Sequence, residues 1–572
     1  MRIAKVALIP ILLAAAAAPL YAQTYTLGDT LTVIQRPLLN IPSIVTPGED
    51  LTISCEADPS TTGWTASLLR GGLVVPLTVT ASFYDATTTW WQVTAAVPEM
   101  PVYELYDLRV TADGGLDDTT RNAVRVIPQR RDDFYFVHIT DTHIPTYLYY
   151  YESGADTDST NSEGLRIITR DVNIINPEFV LLTGDFIHEG ELEDYLSKRY
   201  YSRGQMHLGE FEVPVYLTAG NHDVGGWSDT PPSDGTARRD WWRFFGWRKL
   251  DSPPSGELIY TQNYSFDYGP VHFIGLEAYD NYDGWRWSIY GAESFTSRQM
   301  LWLQGDLADA GAQYNVLFHH YDFDNELNLS SLGLDMALWG HIHRDDDDYS
   351  HPFDIATDNA GGSNHPFRLI RFFSGEFDPR PTLDAYDGGE LYDTYAPAND
   401  GTHDLVTAQV HNAYGERFQF GRLRVHMPAG AAGYVVSGGT LVSVDDTGPT
   451  AICHVEVDIP ANGLATVIVE VDDAADAPPA VTASRLKVHP NPFNPRTEIG
   501  YTMPAAGPCR LTVFDAQGRE VAVLVEARRE AGPHAVAWDG RDTGGAPMPS
   551  GAYLVGLRAG AYVETRKVTL LR

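Results

Sequence analysis

Phe134-Tyr-Phe-Val-His-Ile-Thr-Asp-Thr-His143 is an apolar run of strand length that ends in an Asp-x-His cluster. The same pattern recurs four times downstream. Phe179 to Thr183 leads into Gly184-Asp-Phe-Ile-His-Glu-Gly190, Val215 to Ala219 into Gly220-Asn-His-Asp223, Asn315 to Phe318 into His319-His320, and Asp335 to Leu338 into Gly340-His-Ile-His343. Val271 to Leu276 is a further apolar run. Between the first two runs, Leu165, Ile168, Val172 and Ile175 recur at helical spacing and Asn176-Pro177 stops the helix. Arg298 to Ala310 is a second amphipathic stretch. Buried strands alternating with helices predict an α/β core over residues 130–378. In such sheets ligands gather beyond the carboxyl ends of the strands, so one fold can bring all five clusters together.

The donors in those clusters are carboxylate and amide oxygens and imidazole nitrogens, without a thiolate. They suit borderline or hard cations such as Mn, Fe or Zn, and there are too many for one ion. The ordered series Asp-x-His, Gly-Asp-x-x-x-x-Gly, Gly-Asn-His-Asp, His and Gly-His-x-His resembles the calcineurin-like metallophosphoesterase family over about residues 132–378. The resemblance implies two β-sheets flanked by helices and a pair of divalent or mixed-valence metal ions. Carried over by motif, Asp141, His143 and His343 hold one ion, Asn221, His319 and His341 hold the other, and Asp185 bridges them. Within the adjacent pair, His319 takes the ligand position and His320 lies behind it or on the substrate side. His222 directly follows a ligand, so its imidazole is expected to reach the leaving-group oxygen, with Asp223 orienting the ring. His188 stands where purple acid phosphatases carry a Tyr and is expected to be a plain loop residue. Ser297 to Leu307 resembles the helix ahead of the metal His in secreted phosphatases and cyclic-nucleotide-type phosphodiesterases.

Two stretches could shape the substrate. Trp227 to Trp247 holds Arg238, Arg239, Trp241, Trp242 and Phe245, and Tyr279 to Tyr290 adds Tyr282, Trp285 and Trp287. They either offer guanidinium and aromatic contacts to an organic phosphate, or pack their own aromatics against the core. Asp345 to Asp348 follows the last His cluster and either screens anions, binds a cation or is a solvated loop.

The whole chain is 572 residues with 76 acidic and 40 basic side chains, a formal charge of -36. That length predicts several domains. The acidity disfavours nucleic-acid backbones and anionic membrane surfaces, so a phosphate ligand needs a local positive centre such as a metal cluster. Arg2 and Lys5 precede an apolar run from Val6 to Leu20, and Ala22 offers a cut before Gln23, which predicts an export signal over residues 1–22. No later segment is apolar enough to span a bilayer. Cys55, Cys453 and Cys509 are too few and too scattered for a disulfide framework and are expected as buried small hydrophobes.

Short β-type runs with turns predict a β-sandwich over residues 24–128, and Thr46-Pro-Gly-Glu49 resembles the opening of bacterial immunoglobulin-like domains. A β-rich accessory domain over residues 380–472 and a small, acidic linker over 473–483 follow. Residues 484–572 carry 12 basic and 8 acidic residues and alternating runs. There Asn491-Pro-Phe-Asn-Pro495, Trp538-Asp-Gly-Arg-Asp542 and Ser550-Gly-Ala-Tyr553 resemble type IX secretion C-terminal sorting domains, which are immunoglobulin-like. That resemblance implies a Gram-negative-type bacterium, the type IX machinery as partner, and secretion or display on the outer-membrane surface. The expected protein is therefore multidomain: an α/β metallophosphoesterase core with all-β immunoglobulin-like domains on both sides. Its expected activity is hydrolysis of phosphate monoesters or diesters of small organic phosphates or nucleotides, without nucleic-acid binding. The alternative is an inactive surface binding or adhesion protein, which an incomplete ligand set would favour.

Overall fold

The computed structural model describes residues 31–144, 158–188, 200–224, 241, 243–246, 262–277, 295, 297–321, 327–386, 388–472, 486–503, 507–515, 519–530, 532–559 and 562–572. The export signal over 1–22 and the linker over 473–483 lie outside them.

Two six-stranded sheets form the α/β unit. In the first, the strands Val215–Thr218, Val180–Thr183 and Phe134–Ile139 run parallel, and Pro366–Phe373 joins the last of them antiparallel. In the second, Val271–Leu276, Tyr314–Phe318, Met336–Trp339 and Phe353–Ala356 are parallel, with antiparallel edges at Asn263–Tyr268 and Asp346–Asp348. Successive side chains on a strand point to opposite faces, so each central strand feeds two cores. Phe134, Phe136, Phe179, Leu181, Phe273, Val316, Phe318 and Ile355 fill the layer between the sheets. Tyr135, Val137 and Ile139 face the other way, onto Leu165, Ile168, Val172 and Ile175 of the helix Asp158–Ile175. That helix stops where Asn176 takes a positive φ of 55° before Pro177, which has no N–H to continue the ladder.

Eight strands between Ile34 and Val126 surround a separate core. Leu73–Asp85 pairs with Thr65–Arg70 in its first half and with Trp90–Ala96 in its second, with an irregularity between Val79 and Ala81. Seven strands from Leu391 to Val471 form two sheets, and seven more from Leu486 to Leu570 form another two around their own core. All three cysteines are buried and free.

Buried charge ties the first two β units together. Glu104, 1% exposed, meets Arg422 at 3.2 Å, Arg424 at 2.9 Å, Arg125 at 3.2 Å and His454 at 3.0 Å. Burial pushes this carboxyl up, but the guanidinium groups outweigh it and hold the acid well below the usual range. Among the described residues no helix is long and apolar enough to cross a membrane.

Candidate functional site

The five polar clusters meet where strands of both sheets end. The loops after the first two strands are zipped together: Asp141 N donates to Gly184 O at 3.1 Å and His143 N to Asp185 O at 2.8 Å. Asp141, His143, Asp185, His341 and His343 all have positive φ, between 46° and 71°. Such backbone costs on the order of 1–3 kcal/mol per residue and persists where surrounding contacts over-determine it, a pattern concentrated at functional sites. The motif glycines leave room for this crowding. A Cβ on Gly340 would lie 2.0 Å from Thr140 Oγ1 and 2.3 Å from Asp141 Oδ2, and one on Gly220 would lie 2.3 Å from Asp185 Oδ1.

Asp141, His143, Asp185 and His343 present one ligand atom each within a single cation-sized cluster, and Asp185, His320 and His341 form a second. His143 Nε2 is 3.0 Å from His343 Nε2 and 3.6 Å from Asp141 Oδ1. Asp185 Oδ2 lies between the groups, 3.8 Å from His143 Nε2 and 3.0 Å from His320 Nε2. Burial pushes Asp185 up, but the imidazoles of His320 and His222 outweigh it and hold its carboxyl below the usual range.

Inward hydrogen bonds select which atoms face these clusters. Asp141 Oδ2 accepts from Thr140 Oγ1 at 2.8 Å and from His341 N at 2.9 Å, which leaves Oδ1 toward His343 Nε2 at 3.2 Å. Asp185 Oδ1 accepts from His222 N at 2.9 Å. Asn221 Oδ1, next in the chain to His222, is buried with no hydrogen-bond partner among the described residues. A buried amide oxygen without a partner is costly, and a cation would satisfy it. Carboxylate, amide and imidazole donors of this kind fit divalent ions.

The structure brings Asp141, His143, Asp185, His341 and His343 together, and it places two other residues differently from the motif assignment. His320 Nε2, rather than His319, stands with Asp185 and His341. Val316 and Phe318 face the layer between the sheets while Leu317 faces outward, so alternation carries His320 inward and turns His319 out to the ring of Phe295, 5.5 Å away. Asp223 does not orient His222. Its carboxylate accepts from Ile187 N at 2.7 Å and Gly220 N at 2.8 Å, and burial together with the charge of Asp185 raises it to about 8. The ring of His222 is held by the carbonyl of His188, 2.5 Å from its Nδ1.

His188 is more than a plain loop residue. Its ring stacks on His222 at 17° with centroids 5.1 Å apart, and its Nδ1 is 3.3 Å from His143 Nδ1. Its position after the Gly-Asp motif was its only signal in the sequence. Arg238 and Arg239 lie outside the described residues. From the same aromatic stretch, Trp241 and Phe245 are buried against Tyr201, which favours packing for that part. Asp345 and Asp347 approach the fully buried Arg368 at 2.9 and 2.8 Å, so these two carboxylates serve a guanidinium.

Residues 134–345 match the calcineurin-like phosphoesterase family and residues 496–561 match the FlgD Ig-like domain. No curated protein matches the chain. Among solved structures, a purple acid phosphatase from yellow lupin (Lupinus luteus) is 12% identical, covering 64% of this chain and 70% of that one with a TM-score of 0.34. A dimetal phosphatase from Danio rerio is 17% identical, covering 44% of this chain and 97% of that one, also with a TM-score of 0.34. Porphyromonas gingivalis PorZ, a surface component of the type IX secretion system, is 19% identical over 20% of this chain and 15% of that one, with a TM-score of 0.13. With the ordered motifs and the two clusters, residues 134–345 make up a calcineurin-like metallophosphoesterase domain, the domain of a phosphoester hydrolase.

Proposed function

We propose that the protein is an exported two-metal phosphoesterase acting on small organic phosphates or nucleotides, as monoesters or diesters. The observation that carries this reading is Asp185, whose Oδ2 stands between two donor clusters. Asp141, His143, His343 and Asp185 would hold one ion, and Asp185, His320, His341 and Asn221 the other. When bound, two divalent ions supply Lewis-acid polarisation of the phosphoryl oxygens and lower the pKa of water. The protein's own part is positioning. Asp185 and the inward bonds of Asp141 fix the donors, and the carbonyl of His188 fixes His222 through Nδ1, so that Nε2 is the atom that holds or returns a proton at the leaving oxygen. Asp223 keeps the Gly220 and Ile187 amides in place. Mn, Fe and Zn all fit the donor set.

Both flanking units read as immunoglobulin-like. Tyr106 OH donates to Val102 O at 2.6 Å and Tyr553 OH to Pro549 O at 2.8 Å, each four residues back in the chain, a bond familiar from immunoglobulin-type sandwiches. The amino-terminal signal and the sorting-type sequence of the tail support export through the type IX machinery to the cell surface or medium. A charge of -36 argues against nucleic acid as partner.

The test is a panel of aryl phosphate mono- and diesters with the Mn- or Zn-loaded protein. Turnover that disappears in Asp185→Asn supports the reading. No turnover of any ester by metal-loaded wild type contradicts it.

A further inference from the structure

The layer between the sheets changes character at its carboxyl end. Phe136, Leu181, Phe318 and Ile355 are apolar, and two residues further along the same strand directions stand His138, Thr183, His320 and Thr357. His138, Thr183 and Thr357 are each 0% exposed, and so is Arg368, which pairs with His138 across the antiparallel ladder. Polar side chains are rarely buried this deeply unless their hydrogen bonds are satisfied.

Here they form one continuous column. Arg368 Nε donates to Thr357 Oγ1 at 3.0 Å, and His138 Nδ1 lies 2.8 Å from the same oxygen. His138 Nε2 lies 2.8 Å from Thr183 Oγ1. The column ends at the Thr183 hydroxyl, and the main-chain carbonyl of the same residue has two neighbours. His320 Nδ1 donates to it at 2.7 Å, and the Thr140 hydroxyl lies 3.0 Å away, its single proton shared between this carbonyl and Asp141 Oδ2. A proton on His320 Nδ1 leaves Nε2 as the ligating atom, and a fixed Thr140 leaves Asp141 Oδ1 as the metal-facing oxygen.

We propose that His138 and Thr183 are positioning residues for both metal clusters: the buried column fixes the Thr183 carbonyl, and that carbonyl sets the orientation of His320 and Asp141. This inference rests on the two-metal reading above. It goes further by assigning metal retention to residues that touch no ion and no substrate.

The experiment is competitive titration of Mn or Zn against a chromophoric chelator, using the full chain and comparing wild type with Thr183→Ser, Thr183→Val, His138→Leu and the Thr183→Val/His138→Leu double variant. Thr183→Val keeps the side-chain shape and the strand preference, so it is the decisive variant, and circular dichroism checks that each one folds. Thr183→Ser should hold both ions as wild type does. Thr183→Val should bind them roughly 10- to 100-fold more weakly, the usual effect of losing a bond behind a ligand. If His138 acts through Thr183, the double variant should be little weaker than Thr183→Val. Wild-type affinity in Thr183→Val, or equal losses in Thr183→Ser and Thr183→Val, overturns the proposal. A wild type that binds no pair of ions overturns the two-metal reading instead.

Discussion

The Nδ1 of His222 sits 2.5 Å from the carbonyl oxygen of His188, while the adjacent Asp223 turns its carboxylate onto the backbone amides of Ile187 and Gly220. Ring and acid therefore have separate tasks. His222→Ala should lower kcat by roughly 100-fold or more and leave metal content unchanged, as steady-state kinetics with elemental analysis would read. Asp223→Ala should lower stability by about 2–4 kcal/mol, because two buried amides lose their acceptor. Denaturant unfolding measures this, and an Asp223→Ala variant as stable as wild type contradicts the assignment.

The two adjacent histidines are separable by metal content. His320→Ala should lose an ion that His319→Ala retains, since only His320 stands with Asp185 and His341. His319→Ala should instead lower Tm, because its ring is buried beside Phe295. The opposite pattern of metal loss would restore the order expected from the motif.

Gly340 and Gly305 should respond oppositely to alanine. At Gly340 the new methyl collides with Thr140 and Asp141, so both metal affinity and stability should fall, the latter by about 1–3 kcal/mol. Gly305 lies exposed in the helix Ser297–Ala310 with open space around it, so Gly305→Ala should raise stability by about 0.5–1 kcal/mol. Thermal unfolding of the two variants makes the comparison.

His272 gives a pH dependence away from the metal clusters. Burial pushes its ring down, but the hydrogen bonds it donates to the carboxylates of Asp267 at 2.7 Å and Asp306 at 3.0 Å outweigh burial and raise the pKa to about 9. The folded value lies above the ordinary 6.5, so the stabilisation is fully present below about pH 6.5 and is lost as pH rises through about 9. Tm measured from pH 6 to 10 should fall more steeply for wild type than for His272→Gln. Parallel curves would show that these ion pairs do not set the pH dependence of stability.

Much of the catalytic fold could be read from local pattern. Apolar runs such as Phe179 to Thr183 each ended in a polar cluster, and helical spacing from Leu165 to Ile175 marked the intervening helix. What escaped depends on facts that spacing does not carry. The choice of His320 over His319 is set by which face of the strand Tyr314–Phe318 meets the second sheet, and that is a tertiary property. The partner of His222 is a main-chain carbonyl, invisible to any side-chain motif. In the accessory region Tyr434–Ser437 and Thr440–Asp445 are separate strands, because Gly438 between them takes a φ of 81° that only a glycine adopts freely.

The two-metal proposal has Asp185 shared between both cations. Elemental analysis of the purified full chain after loading with Mn or Zn decides this. Two ions per chain in wild type and fewer in Asp185→Asn is the expected result. A chain that holds no stoichiometric metal, or an Asp185→Asn variant that keeps both ions, would contradict it.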